Sequence, residues 1–580
     1  MENTLQQKIQ RIESLLQEEK TNKLAFHQLI KLYISAGEPL HALETARQFA
    51  AANEKDYEAL YLYSSLELYF GNEEGAFKLA QKVIALNPLY LGAYMTIALY
   101  YEKEANPPKQ ILALENLNLA AKALYGETFT NTVVSQACKK LASLYIELGQ
   151  TEKGIAAYLQ CSLTAEDTRE KIAAYSSYLM CLHYTADTTD KEVYFAHQKY
   201  NAFFADVTPY SHHRSISNNK IRIGYVSPDF RNHVVIYFIY HLLKNFDRTA
   251  FEIYCYCNCA EDSVTEQLKD QAIIWRSIDG LNPAAAAKQI HDDNIDILFE
   301  LSGHTSNNCL PILAYKPAPV QICGIGYFNT TGLKTIDYFL TDIHIDPAAK
   351  NDAYFSERLL HLPHSHWCYT KRGEAPACQE APSNSKNYIS FCCFNTFAKV
   401  TDEILLVWKS ILAAVPNSRL VLKNKIFNTI YGIETVCQRL LLLGFDLKQV
   451  QCLPLSLSHM TEYLDMDIAL DTFPYVGGGT SCEALYMGVP LITLAGARHG
   501  SRFGLSILKN IGLEECIAYD KDEYIEKAVC LAKNKKRLNE LHRGELRERM
   551  ENSPLMDAAA YMQDLETAYK KIWSDYIASH

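Results

Sequence analysis

Asp471-Thr-Phe-Pro-Tyr-Val-Gly-Gly-Gly-Thr-Ser-Cys-Glu-Ala-Leu-Tyr-Met-Gly-Val-Pro490 decides how this chain is read. It opens as the end of a strand, passes through a glycine-rich loop and enters a helix near Thr480-Ser481. Three consecutive glycines let the backbone approach a ligand closely, and the unpaired amides of a helix start face that ligand with the positive end of the dipole. Gly478, Gly479, Thr480 and Ser481 are the expected contacts, and a diphosphate is the natural occupant. Glu483, one turn into the helix, is placed to accept from a ribose hydroxyl. No Gly-Lys-Ser/Thr follows the glycines, so this is not a Walker loop and ATP hydrolysis is disfavoured. Taken alone, the stretch also reads as a plain turn capped by Thr480 or Ser481.

Outward from this loop, short β-branched runs alternate with helical stretches. One set begins at Tyr388-Ile-Ser-Phe and continues through Ser418-Arg-Leu-Val-Leu-Lys, Gln449-Val-Gln-Cys-Leu, Met466-Asp-Ile-Ala-Leu-Asp and Pro490-Leu-Ile-Thr-Leu. An earlier set includes Ile221-Arg-Ile-Gly-Tyr-Val-Ser, Phe251-Glu-Ile-Tyr-Cys-Tyr and Ile295-Asp-Ile-Leu-Phe-Glu. Strands alternating with helices predict parallel sheets covered on both faces, here two doubly wound lobes joined across residues 375–386. Ligands of such folds sit beyond the carboxyl ends of the strands, which points to a cleft between the lobes. Charged amphipathic helices running to about Tyr576 are expected to strap onto a lobe.

Three further segments carry chemistry at strand ends. Asn395-Thr396-Phe-Ala-Lys399 offers an ammonium to the same phosphates, where it would stabilise them as a leaving group; by itself Lys399 reads equally as a solvated lysine at a helix start. His459 could stack on a base, although a lone histidine is more often a satisfied surface or core residue. Ser227-Pro-Asp-Phe-Arg-Asn-His233 and Glu300-Leu-Ser-Gly-His304-Thr305 end two strands of the first lobe. They suggest a polar wall able to hold a sugar or manage a proton, against the alternative of ordinary loop histidines.

The first third follows another rule. Gly37 and Gly71 lie 34 residues apart, as do Ala42 and Ala76, and Ala46 and Ala80. That period, with small residues where paired helices touch, is the tetratricopeptide signature. Gly149 and Gly154 resume the pattern after an expected insertion near Asn106-Pro107-Pro108. Stacked helix pairs give a concave surface suited to gripping an extended polypeptide. The 17 cysteines show no metal-ligand spacing, so no zinc or other metal is expected, and they read as thiols of a reducing compartment. A net charge of −11 argues against a nucleic-acid partner. With no signal-peptide pattern and no long apolar run, a soluble cytoplasmic protein without a membrane span is expected.

Together these segments resemble the family of O-GlcNAc transferase and SPINDLY, nucleocytoplasmic protein glycosyltransferases. The resemblance is carried by Gly224-Tyr-Val-Ser-Pro-Asp-Phe with His233, Glu300-Leu-Ser-Gly-His-Thr-Ser-Asn-Asn, Lys316-Pro-Ala-Pro-Val-Gln, Gly326-Tyr-Phe-Asn-Thr-Thr-Gly, Asp337-Tyr-Phe-Leu-Thr-Asp, Asn395 to Lys399, Val415-Pro-Asn-Ser-Arg-Leu, His459-Met, Asp471-Thr-Phe-Pro-Tyr and Cys482-Glu-Ala-Leu-Tyr-Met-Gly-Val-Pro. It implies an α + α/β chain: an all-α tetratricopeptide superhelix (1–205), then a GT-B pair of Rossmann-like lobes, one catalytic (206–380) and one binding the nucleotide sugar (381–580). It implies inverting, metal-independent transfer of a sugar to serine or threonine, without a cofactor. By resemblance Lys399 contacts the donor phosphates, with Thr396 beside it; Thr480 and Ser481 supply hydroxyls; Glu483 lies near the ribose; His459 stacks on the base; and His233 lies near the reacting sugar. The base is left open among His233, the donor phosphate and a water chain.

Some positions depart from the pattern of the animal enzyme, which has histidine where this chain has Gly479, tyrosine at His304 and glutamine at Thr396. The Gly-His-Thr-Ser-Asn-Asn and Phe-Asn-Thr-Thr-Gly segments look closer to the plant SPINDLY type, which uses GDP-fucose, and bacterial relatives share that look. UDP-GlcNAc is the expected donor and GDP-fucose the alternative. The short repeat array suggests a bacterial source, with flagellin or another abundant protein as acceptor and a homodimer as an option. A non-catalytic repeat scaffold and a transferase acting on lipid or small glycans are the rival classes; the joint presence of Lys399, the glycine loop and His233 argues against the first, and the peptide-gripping repeats against the second.

Overall fold

A computed structural model describes residues 2–212, 220–269, 273–347, 352–371 and 373–579. The chain divides into two compact units, one of residues 1–145 with 156–174, the other of residues 146–155 with 175–580.

The first unit is the helical array. Helices Lys23–Ser35, Pro39–Ala52, Tyr57–Tyr69, Glu73–Leu86 and Leu91–Lys103 pack in succession. Gly37, Gly71 and Ala105 hold left-handed turns, with φ of 74°, 79° and 49°, at the 34-residue period. Ala42, Ala46, Ala76 and Ala80 are fully buried where a larger side chain would separate the helices. The expected insertion at Asn106-Pro107-Pro108 needs correcting. The turn stays in period at Ala105, Asn106 caps the next helix by accepting from the Lys109 N–H, and Pro107 fits its first turn, where no N–H is needed. The extra length lies beyond, in the 19-residue helix Pro107–Tyr125.

In the second unit two parallel sheets stand where the alternation predicted them. The first contains β1 (Ile221–Ser227), β2 (Phe251–Cys257), β3 (Ile274–Ser277), β4 (Ile297–Glu300), β5 (Val320–Cys323), β6 (Tyr338–Asp342) and β7 (Arg358–Leu362), in the order β3-β2-β1-β4-β5-β6-β7. The second contains β8 (Ile389–Cys393), β9 (Ser418–Lys423), β10 (Val450–Leu453), β11 (Ile468–Leu470), β12 (Leu491–Leu494) and β13 (Ile517–Ala518), in the order β10-β9-β8-β11-β12-β13. Each chain path runs outward from the middle, then crosses back to the other side of its first strand. The loops after β1 and β4, and those after β8 and β11, therefore part at topological switch points, where crevices open.

The central strands are mostly apolar and largely buried, β8 at all five positions, because helices cover both faces. The last helix, Ala558–Ser579, straps onto the first lobe. Tyr569 and Tyr225 share a hydroxyl contact of 3.3 Å, and the Glu566 carboxylate accepts from the Asp247 N–H at 2.7 Å. Residues 175–205 group with the sheets, since Ser176, His183 and His197 bond to His304 and Tyr327 of the first lobe.

Candidate active site

The glycine loop is built around one carboxylate. Asp471, directly after β11 and fully buried, accepts from the N–H groups of Thr472 (2.9 Å) and Gly477 (2.7 Å) and from the Thr493 hydroxyl (2.8 Å). Burial pushes its pKa up to about 6, against those hydrogen bonds and the neighbouring Lys399. Across the switch point, β8 leads into a short turn, Phe397–Lys399, that delivers the lysine. The Lys399 Nζ donates to the Val476 carbonyl at 2.8 Å and stands 4.5 Å from the centre of the Tyr475 ring. Burial lowers its pKa to about 8, while Asp471 favours the charged form. The ammonium is thus half-buried inside the loop, out of bulk water.

Each glycine in the loop has its own spatial reason. A Cβ at Gly477 would stand 2.4 Å from the Ser481 Oγ, at Gly478 2.9 Å from the Trp367 ring, and at Gly479 2.6 Å from the Val234 Cγ2. The loop therefore lies directly against the first lobe. The helix Gly479–Tyr486 starts without a side-chain cap. Among the described residues, no protein acceptor meets the N–H groups of Gly478, Gly479, Thr480 or Ser481. The Thr480 hydroxyl donates to the Asn395 Oδ1 at 2.7 Å, and the Ser481 Oγ is buried without a partner among the described residues. An orphaned hydroxyl, four free amides and an ammonium form a donor set suited to diphosphate oxygens.

His233 reaches this loop from the first lobe through its neighbour Val234. Its Nδ1 lies 3.5 Å from the Asp229 carboxylate, and its side chain is more than a third exposed. Burial lowers its pKa, with Asp229 pulling the other way. On the far side, the His459 Nε2 and the Glu483 Oε2 are 2.8 Å apart. Glu483 is buried, so the carboxylate expected at the ribose is already shared with the histidine expected at the base. Thr396 is exposed on the rim.

His304 is not brought to the loop. It is 1% exposed, its Nδ1 facing the Ser176 hydroxyl at 2.7 Å and its Nε2 donating to the Thr331 carbonyl at 2.8 Å. Both ring nitrogens have protein partners, and burial holds its pKa well below the usual value. A part in proton transfer, expected from its place at a strand end, does not match this setting; its geometry is that of a structural core histidine.

Residue-level reasoning passed over Asp471 as the organiser of the loop, Trp367 and Tyr475 as its aromatic walls, and Lys423. Lys423 was visible only as a lysine ending a strand, the one available hint, since strand ends face the cleft. A hollow of about 710 Å³ lies beside the loop, bounded in part by Gly149, Thr151, Asp402, Arg439 and Pro474. Tyr184 also lines it, and the Tyr184 ring packs edge-on at 5.4 Å against Tyr475.

Two doubly wound lobes sharing a cleft, with an amide-and-ammonium crevice at one switch point, define the GT-B class of glycosyltransferase architecture. Residues 181–373 and 378–565 match the model of Glycosyl transferase family 41, and the chain belongs to that family. It is 41% identical over 415 residues to the probable UDP-N-acetylglucosamine–peptide N-acetylglucosaminyltransferase SPINDLY of Solanum lycopersicum, across 69% of this chain and 44% of that protein. It is 30% identical over 375 residues to the Arabidopsis thaliana protein of the same description called SEC, across 61% of this chain and 37% of that one. The chain thus spans less than half the length of these curated relatives. A solved lysine mutant of the Thermobaculum terrenum O-GlcNAc transferase superposes with a TM-score of 0.75 at 28% identity, covering 90% of this chain and 98% of that one.

Proposed function

We propose that this chain is an inverting protein O-glycosyltransferase that moves N-acetylglucosamine from UDP-GlcNAc to a serine or threonine of an acceptor protein. The observation that carries this proposal is that, among the described residues, the Ser481 hydroxyl and four N–H groups of the loop have no partner, in the same loop whose Val476 carbonyl holds the half-buried Lys399 ammonium at a switch point. In the transfer, the acceptor oxygen bonds to the sugar's anomeric carbon as the bond to the diphosphate oxygen breaks. The electron pair leaves with the diphosphate. Lys399 and the N–H groups meet the charge that develops there, and no metal or cofactor is invoked. His233 is proposed to take the hydroxyl proton, with Asp229 stabilising the imidazolium that results.

The acceptor segment is proposed to approach through the hollow beside Tyr184, and the helical array to supply a peptide-gripping surface that lowers the entropic cost of attack. We place the reaction in the cytoplasm, with flagellin or another abundant protein as an acceptor to try first. Among the described residues no helix is long and apolar enough to cross a membrane. The names of the relatives contain UDP-N-acetylglucosamine, which supports that donor; GDP-fucose is not favoured. The test is intact-mass analysis of acceptor protein after incubation with each donor separately. One added N-acetylhexosamine is expected with UDP-GlcNAc. An added deoxyhexose from GDP-fucose overturns the donor, and no addition from either, with no thermal stabilisation by UDP or GDP, favours a scaffold.

A further inference from the structure

Lys423 ends β9 with its side chain 1% exposed, an unusual burial for a lysine. Its Nζ has three acceptors for three N–H bonds: the Ser456 Oγ at 3.0 Å, the His459 Nδ1 at 3.2 Å and the Glu462 carboxylate. The ammonium has no lone pair, so the His459 Nδ1 must accept. The ring's proton therefore lies on Nε2, which donates to the Glu483 Oε2 at 2.8 Å. His459 is thus held from both sides in one tautomer. Its plane is further set by Tyr463, edge-on at 5.5 Å, and by Phe394 at 5.9 Å. Phe394 also lies 5.5 Å from the Lys423 Nζ.

We propose that Lys423 is a positioning residue of the donor site: through its hydrogen bond it fixes the tautomer and plane of His459, and so presents the ring face to the nucleobase of the bound nucleoside diphosphate. This rests on the donor site proposed above, because only a base stacked on His459 gives the fixed plane a use. It assigns a role in donor recognition to a side chain that would itself touch neither the sugar nor the phosphates.

Three measurements on the full chain test it. In ligand-free protein labelled with ¹⁵N-histidine, His459 is expected to show a protonated Nε2 and an unprotonated Nδ1; a protonated Nδ1 overturns the proposal whether or not any nucleotide binds. By calorimetry with UDP, Lys423→Met is expected to raise Kd about ten- to thirty-fold, the size of one lost charge-assisted hydrogen bond. Lys423→Arg should recover most of that loss, and the effect of Lys423→Met should vanish in a His459→Ala background. An unchanged Kd, or the same loss with His459 absent, overturns it. Because removing the ammonium strands Glu462, the pair Lys423→Met with Glu462→Gln is the variant to use if the single change does not fold, with the same expectations. If the wild-type chain binds neither UDP nor GDP, the donor site is what fails, and the tautomer measurement still decides the hydrogen bond.

Discussion

Replacing Lys399 by alanine removes the ammonium that donates to the Val476 carbonyl of the glycine loop. A unit charge about 4 Å from a phosphate oxygen is worth about 4 kcal/mol at the effective dielectric of a protein surface. Loss of one such stabilising group costs about 3–4 kcal/mol in catalysed reactions. Part of that is already realised when the diphosphate binds, so the nucleotide Kd should rise about tenfold and kcat/KM should fall by about 10² to 10³. The fold should survive, because burial already penalises this charge, lowering the lysine pKa to about 8.

That depressed value also sets a sign. The free enzyme loses the ammonium as pH rises through about 8, so wild-type kcat/KM for the donor should decline there by one proton. A bound diphosphate favours the charged form, so kcat should decline at higher pH than kcat/KM. The assay is transfer of labelled sugar to acceptor protein from pH 6.5 to 9.5, with thermal midpoints recorded in parallel. Wild-type turnover in Lys399→Ala, or the same alkaline decline in that variant, would refute the role given to this lysine.

His233→Ala should lower kcat by about 10² to 10⁴, the usual weight of a general base, with UDP affinity by calorimetry within twofold. In the wild-type chain the acid limb of kcat/KM should rise with pH and lie below the ordinary histidine range, since burial lowers this pKa in the free enzyme. His304→Ala should act on stability, costing about 3 kcal/mol through two lost hydrogen bonds and a cavity, read as a lower denaturation midpoint. Its depressed pKa means the folded state resists protonation, so wild-type stability should fall as pH drops below the ordinary histidine value. Tyr184→Ala should raise the acceptor KM about five- to tenfold, the worth of one aromatic contact, without moving the UDP affinity.

The repeat array and both doubly wound lobes were legible because their signals are local. Gly37 and Gly71 mark turns at a fixed period, and parallel strands such as β1 and β8 read as short, mostly apolar runs between helical stretches. The strands passed over were β3, β5, β6, β7 and β13; three of these, β3, β7 and β13, are sheet edges, and the half-exposed positions of β3 and β7 break up the apolar run that marks a strand. The glycine loop and Lys399 could be named from the chain because phosphate chemistry demands backbone amides and a cation, and such residues stand out at strand ends.

Sequence by itself determined which side chains sit at the ends of strands; it did not determine which ends meet. The sheet order did that. With β8 between β9 and β11, the turn carrying Lys399 and the loop after Leu470 open onto one crevice, and Asp471 can gather the loop beside the lysine. Tertiary packing likewise turned His304 inward to Ser176 and Thr331, paired His459 with Glu483, and set Lys423 behind that pair. These residues are tens of positions apart along the chain, and hydrogen bonds across such separations leave no periodicity or spacing to read. They exist only once crossover connections have fixed the neighbours of each strand.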